Sequence, residues 1–189
     1  LCFFIIQNLR QREKEVRYLA EHDALTGLHN RHYINKKTQK MFQKSQLVGV
    51  ILLDLDHFKS INDQYGHLCG DQVLTLTAHT LKQHCPDAMI GRFGGEEFIL
   101  ILPNYDLQQT YQYAERLRQQ INLLDFSYQQ EPIHIQGSFG VASREISHID
   151  DFKYLIQQAD HALYQAKHRG RNQVVTTQQA QKQPFPIHV

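Results

Sequence analysis

The sequence has almost no net charge, few cysteines and no long apolar run, and each shortage closes off a class of function. Its 20 Lys and Arg stand against 19 Asp and Glu, for a net charge of +1 with His neutral. No broad field is present to gather nucleic acid or an anionic membrane, so a nucleic-acid partner is not expected. Any nucleotide must be held by individually placed residues. The three cysteines, Cys2, Cys69 and Cys85, are odd in number and lack metal-ligand spacing. They read as reduced thiols of a cytosolic domain. The 12 histidines are scattered without an HExxH pattern and read as surface or packing residues. The apolar run Leu1-Cys2-Phe3-Phe4-Ile5-Ile6 is too short to cross a bilayer. Arg10, Arg12, Glu13, Lys14, Glu15 and Arg17 follow it, the pattern of the cytoplasmic end of a transmembrane helix. The alternative is a helix end that packs on the domain or on a neighbour. The first residue is Leu, which reads as a fragment or a processed chain.

What remains is enough for one domain with appendages: 189 residues, 41% of them apolar. Residues 7 to 22 read as a charged helix with a weak seven-residue repeat through Leu9 and Val16, broken at Asp23-Ala24-Leu25-Thr26-Gly27-Leu28. A second helix is expected from Asn30 towards Gln43. Leu47 to Leu53 is almost continuously apolar, the signature of a central strand covered on both faces, and it ends at Asp54. Asp71 to His84 has helical spacing. Met89 to Phe93 and Glu97 to Leu102 are β-rich runs around Gly94-Gly95, which predicts a two-residue hairpin. Leu107 to Leu123 and Asp151 to His168 are amphipathic helices, Ile133 to Ala142 alternates like a strand, and Gln173 to Val175 adds a short one. The expected fold is α+β, a mainly antiparallel sheet flanked by helices, with a Gln-rich disordered tail over 176–189.

Candidate chemistry lies at the strand ends. Asp54 at the end of a rigid strand suits a hard cation. Glu96 and Glu97, read as neighbours in a strand, would point to opposite faces. Lys59, which follows the Asp pair, and Lys167, Arg169 and Arg171 at the end of the last helix supply positive charge. Each piece also has a plain structural reading: a polar loop for Asp54-Leu55-Asp56, a simple turn for the Gly pair, dipole compensation for the cations at the last helix end. Together, carboxylates for divalent metal and Lys/Arg for phosphate are the equipment of phosphoryl or nucleotidyl transfer.

Five motifs in order resemble the GGDEF family of diguanylate cyclases, over about residues 23 to 175. They are Asp23 to Arg31; Asp54-Leu55-Asp56-His57-Phe58-Lys59-Ser60-Ile61-Asn62-Asp63 with Tyr65-Gly66-His67 and Gly70-Asp71; Gly94-Gly95-Glu96-Glu97-Phe98; Ala159-Asp160 with Ala162 to Lys167; and Gly170-Arg171-Asn172. The resemblance implies a palm-like fold of the adenylate-cyclase type. It also implies condensation of two GTP into cyclic di-GMP, in a cytoplasmic domain of an inner-membrane-anchored bacterial protein whose upstream sensor is absent from this sequence. Asp54, the Leu55 carbonyl, Glu96 and Glu97 would hold two Mg²⁺ ions, with Mn²⁺ as a substitute. Glu96 would assist deprotonation of the ribose 3′-hydroxyl, and Lys59 would offset transition-state charge. Lys167 and Arg171 would hold the terminal phosphates. His67 belongs to the same substrate-binding set, and Asn62 and Asp71 would read guanine, whose N1–H and N2–H donors suit a carboxylate. Asp71 could also cap its helix.

The implied reaction joins two substrates, each held by one domain, so a homodimer facing itself across a two-fold axis is required. The alternatives are a catalytically silent GTP-binding or interaction module and a cyclase of different base specificity. One departure is visible. Many relatives carry an RxxD product site before the turn, whereas this chain has Cys85-Pro86-Asp87-Ala88. Product inhibition through that segment is predicted to be weak or absent. Tight binding of cyclic di-GMP that is lost on replacing residues 85–88 would contradict this.

Overall fold

The computed structural model describes residues 2–41 and 45–181. Helix α1 (Cys2–Glu21) leads in and is exposed at every residue from 6 to 20. It is followed by β1 (His29–Asn30), α2 (Arg31–Met41), β2 (Gln46–Leu55), α3 (Phe58–Tyr65), α4 (His67–His84), β3 (Met89–Arg92) and β4 (Glu97–Pro103). Then come α5 (Leu107–Asn122), the small ribbon β5 (Ser127–Tyr128) and β6 (Glu131–Pro132), β7 (Gly137–Ile146), α6 (Ile149–His168), β8 (Val174–Thr176) and α7 (Thr177–Gln181). No helix among the described residues is long and apolar enough to cross a membrane. Leu1, at the start of the expected membrane-segment end, lies outside the described residues.

The main sheet has the order β1-β3-β4-β2-β7-β8. The four inner strands are antiparallel, and β1 and β8 join the edges in parallel. The apolar run in β2 is explained by this position, since successive side chains feed opposite faces. Ile51, Leu53 and Leu55 enter a core with Phe98, Leu100, Val73 and Leu117, under α4 and α5. Val48, Val50 and Leu52 enter a second core with Ile34, Ile99, Phe152 and Leu155, under α2 and α6. This is the expected α+β architecture, with helices on both faces.

Four local expectations need correction. Helix α3 was not anticipated, because only Phe58 and Ile61 of its eight residues are buried. Helix α4 begins at His67, so Asp71 sits in its second turn and cannot cap it. Strand β7 begins at Gly137. Ile133 and Ile135 are buried without joining the main ladder, so their alternation reports packing and not pairing. The chain also stays ordered beyond Thr176, where α7 buries Ala180 against Ala162, Ala166 and Val175. Residues 182–189 of the expected tail lie outside the described residues.

Helix α6 lies so close to β7 at Gly140 that an added Cβ would press on the backbone of Ala159 and Leu163. Gly140→Ala is therefore expected to cost about 1–3 kcal/mol by overpacking, a fall in thermal midpoint of roughly 3–10 °C at this size. Gly95→Ala, with open space around the added methyl, should leave the midpoint unchanged in the same thermal scan.

Candidate active site

The end of β2 places Asp54 directly opposite Glu97 on β4 and Ser138 on β7. Residues opposed across a ladder share a face, so the two carboxylates lie side by side. Asp54 is 6% exposed. Burial pushes its carboxyl up to about 6, Glu96 and Glu97 push the same way, and Lys167 pulls against them. Lys167 reaches in from the last turn of α6, with Nζ 2.7 Å from Asp54 Oδ2. A buried carboxylate with two acidic neighbours and one cation is short of positive charge, which is the environment that recruits a hard cation.

Asp56, two residues on, has a different occupation. Its Oδ1 accepts from Ser138 Oγ at 2.7 Å and its Oδ2 from the Asn172 amide at 2.9 Å. This carboxylate ties three segments together and is a structural brace. His57 then takes a left-handed conformation (φ 58°) and turns the chain into α3.

The glycine turn is longer than the sequence predicts. Phe93 and Gly94 amides both donate to the Glu97 carbonyl, at 2.7 and 3.3 Å, so Gly94, Gly95 and Glu96 all lie within the closure. Glu96 is a turn residue and only Glu97 belongs to the strand, which replaces the expectation of two strand neighbours facing opposite ways. The Glu96 carbonyl accepts from the Leu55 amide at 3.3 Å, fastening the turn to the end of β2. A Cβ at Gly94 would meet the Glu97 carboxylate, so a side chain there would displace the tip of that residue.

Arg92 and Asp23 are functional-site neighbours whose roles the sequence reading did not assign. Arg92 donates through Nε and Nη2 to the Gly95 carbonyl at 3.0 and 2.7 Å. Its Nη1 donates to both oxygens of Asp23 at 3.1 and 3.2 Å. Burial works against the Asp23 charge, but donation from Thr26 and Arg92 holds its carboxyl below the usual range. The segment leaving α1 is thereby bonded to the turn. The only sequence signal was that Asp23 opens a motif and Arg92 lies two residues before the glycine pair, since 69 positions separate them.

The other sequence-predicted residues are spread around this end of the sheet. Lys59 is exposed in the first turn of α3, and Asn62 is half-buried on α3 where its amide covers Gly70 of α4. His67 and Asp71 are exposed on α4. Arg171 is exposed in the turn after α6, with φ 64°. Asp54, Glu97, Lys167 and the Leu55–Glu96 backbone pair are brought together. No hydrogen bond or ion pair joins Lys59, Asn62, His67 or Asp71 to them among the described residues. No three acidic, His or Cys side chains among the described residues are placed to hold a metal by themselves. That suits Mg²⁺, which takes one or two carboxylates and completes its shell with water and substrate phosphate.

Residues 20–173 match the family model for the diguanylate cyclase GGDEF domain. The chain belongs to the GGDEF family. It is 39% identical over 174 residues to the diguanylate cyclase VdcA of Vibrio cholerae, covering 90% of this chain and 51% of that protein. It is 35% identical to the probable diguanylate cyclase DgcF of Escherichia coli K12, covering 92% and 56%. The chain thus spans about half the length of these curated relatives. Among solved structures it resembles the coiled coil and GGDEF domain of DgcB from Caulobacter crescentus, in complex with c-di-GMP, with a TM-score of 0.78 at 28% identity, covering 93% and 95% of the two chains. The active GGEEF domain of a Vibrio cholerae diguanylate cyclase matches with a TM-score of 0.63 at 35% identity, covering 76% and 90%.

The two aspartates of this GGDEF domain should separate by experiment. Asp56→Ala leaves the Ser138 hydroxyl and Asn172 amide without their acceptor and should cost about 1–3 kcal/mol in denaturant unfolding. Asp54→Asn removes a charge that burial already opposes and leaves Lys167 partly in solvent. It should change stability by less than about 1 kcal/mol.

Proposed function

We propose that this GGDEF domain condenses two GTP into cyclic di-GMP with release of two pyrophosphates, as the output of a bacterial signalling protein. The observation that carries this reading is the opposed pair Asp54 and Glu97 on adjacent strands, with Glu96 in the turn beside them and Lys167 on Asp54. Asp54, the Leu55 carbonyl, Glu96 and Glu97 are the residues that would hold two Mg²⁺ ions, or Mn²⁺ in their place. Bound there, the metal would supply Lewis-acid polarisation of the phosphates and a lower pKa for the attacking hydroxyl.

The chain's own residues do the rest. Glu96 accepts the proton of the ribose 3′-hydroxyl, and Lys59 offsets charge developing on the α-phosphate. Lys167 exchanges its ion pair with Asp54 for the terminal phosphates and acts there with Arg171. Asn62, His67 and Asp71 bind the nucleoside, with Asp71 accepting from guanine; adenine lacks the matching donor pair. The substrate is cytoplasmic, which places the domain there; anchoring of the parent protein at the inner membrane is part of the same reading.

Each domain presents one set of these residues, so the reaction needs a second copy facing the first. Helix α1 is the device we assign to that task. Ile6, Leu9, Val16 and Leu19 are large apolar residues exposed along it, and Leu9 and Val16 are a heptad apart. The structure of the diguanylate cyclase SiaD from Pseudomonas aeruginosa, at 31% identity, is a complex with its activator SiaC, and the DgcB structure includes a coiled coil.

Products formed from GTP, ATP and their mixture with Mg²⁺, identified by mass spectrometry, test this reading. Cyclic di-GMP is expected from GTP alone, and a product containing adenine or no product at all would overturn it. Glu96→Ala should lower the rate by about 10²-fold or more. Removal of residues 1–22 should depress specific activity in dilute protein and spare it at high concentration.

A further inference from the structure

The turn after α6 runs through three consecutive residues with positive φ: Gly170 at 109°, Arg171 at 64° and Asn172 at 42°. Only glycine adopts that region freely, so something must hold Arg171 and Asn172 there. The holding is complete at Asn172. Its amide donates to Asp56 Oδ2 at 2.9 Å, and its Nδ2 to Asn122 Oδ1 at 3.4 Å. Its Oδ1 and its carbonyl both accept from Arg118 Nη1, at 3.1 and 3.4 Å. The remaining nitrogens of Arg118 are committed to Glu115: Nη2 to Oε1 at 2.6 Å, and Nε to both oxygens at 3.1 and 3.0 Å. The guanidinium is thus fixed by one bidentate partner on its own helix and spends its last nitrogen on the turn. Among the described residues no side-chain anchor of this kind holds Arg171, which faces solvent.

We infer that Arg118, oriented by Glu115, is a positioning residue that holds the Arg171–Asn172 turn left-handed and so aims Arg171 at the terminal phosphates of the bound nucleotide. The inference rests on the proposed role of Arg171. It adds α5 to the site: Arg118 and Asp56 grip the same residue from two sides, one from a helix and one from the end of β2. If the turn relaxed to an ordinary conformation, the direction of the Arg171 side chain would change while Lys167, inside α6, stayed in place. The consequence is selective, falling on the phosphates that Arg171 reaches and sparing the nucleoside.

Titration calorimetry in the presence of Mg²⁺ tests this with guanosine 5′-(α,β-methylene)triphosphate, which cannot release pyrophosphate, and with GMP. Arg171→Ala is expected to weaken the triphosphate analogue by about tenfold, the loss of a charge-assisted contact, with GMP binding unchanged. Arg118→Lys keeps the charge but loses the fork, and should weaken the analogue about threefold to tenfold, again with GMP unchanged. In the Arg118→Lys/Arg171→Ala double variant the first change should add nothing to the second. Asn172→Gly, which tolerates positive φ but lacks the anchored side chain, should reproduce the selective loss and decides the matter if Arg118→Lys fails to fold. Equal weakening of the analogue and GMP, additive losses, or wild-type affinity in Arg118→Lys would overturn the inference. An Arg171→Ala variant with undiminished analogue affinity would overturn the phosphate role of Arg171 and the inference with it. A chain that shows the selective pattern yet makes no cyclic di-GMP would leave the inference standing and remove only the proposed turnover.

Discussion

A carboxylate buried at the end of the central strand sets the terms for everything around it. Asp54 is held by ladder pairing on both sides, so it cannot swing out to water when its charge is inconvenient. Its carboxyl is pushed up to about 6 by burial and by Glu96 and Glu97, with Lys167 as the resident counter-charge. Mutual repulsion of like charges is tolerated because the sheet keeps them in place. What the fold stores here is a demand for positive charge, which one partly exposed lysine meets only in part.

The support for this site is separate from the site. Asp56 braces the same strand end through Ser138 and Asn172, and the Leu55 amide ties down the glycine turn through the Glu96 carbonyl. Arg92 holds the far side of that turn and fastens it to Asp23, where the chain leaves α1. Three loops therefore converge on one strand end, and each is fixed by backbone or bidentate bonds that involve none of the proposed reacting atoms. A preorganised site needs this kind of division. Asp23, two residues after α1, is thus joined to the turn through the single side chain of Arg92.

Much of this was legible because strong local signals coincided with the real elements. The run from Leu47 to Leu53 suggested a doubly covered strand, and Asp54 was conspicuous for ending it. Gly94-Gly95 announced a turn, though not its length, because the extra residue is set by amides that converge on the Glu97 carbonyl. Helix α3 was invisible for a physical reason: eight residues with two buried side chains carry too little periodicity, and its start depends on the left-handed His57. The Ile133 and Ile135 alternation misled because burial imposes a period of two on extended chain whether or not it is paired. Arg92, Arg118 and Asp56 owe their roles to partners 69, 54 and 116 positions away, and no local pattern records such distances.

The position of the site also bears on the second copy that the proposed reaction requires. The carboxylates and Lys167 occupy the end of the sheet, while the exposed residues Lys59, His67, Asp71 and Arg171 surround it on separate elements. Under the proposed reaction a site of this form would hold one nucleotide, and the attacking hydroxyl would come from a second one. For two identical substrates, the simplest source of that second nucleotide would be the same surface turned through two-fold symmetry. On the same proposal the exposed Ile6, Leu9, Val16 and Leu19 of α1 would pack against their counterparts in a second copy. That encounter would set two half-sites facing each other, so association and catalysis would share one geometry.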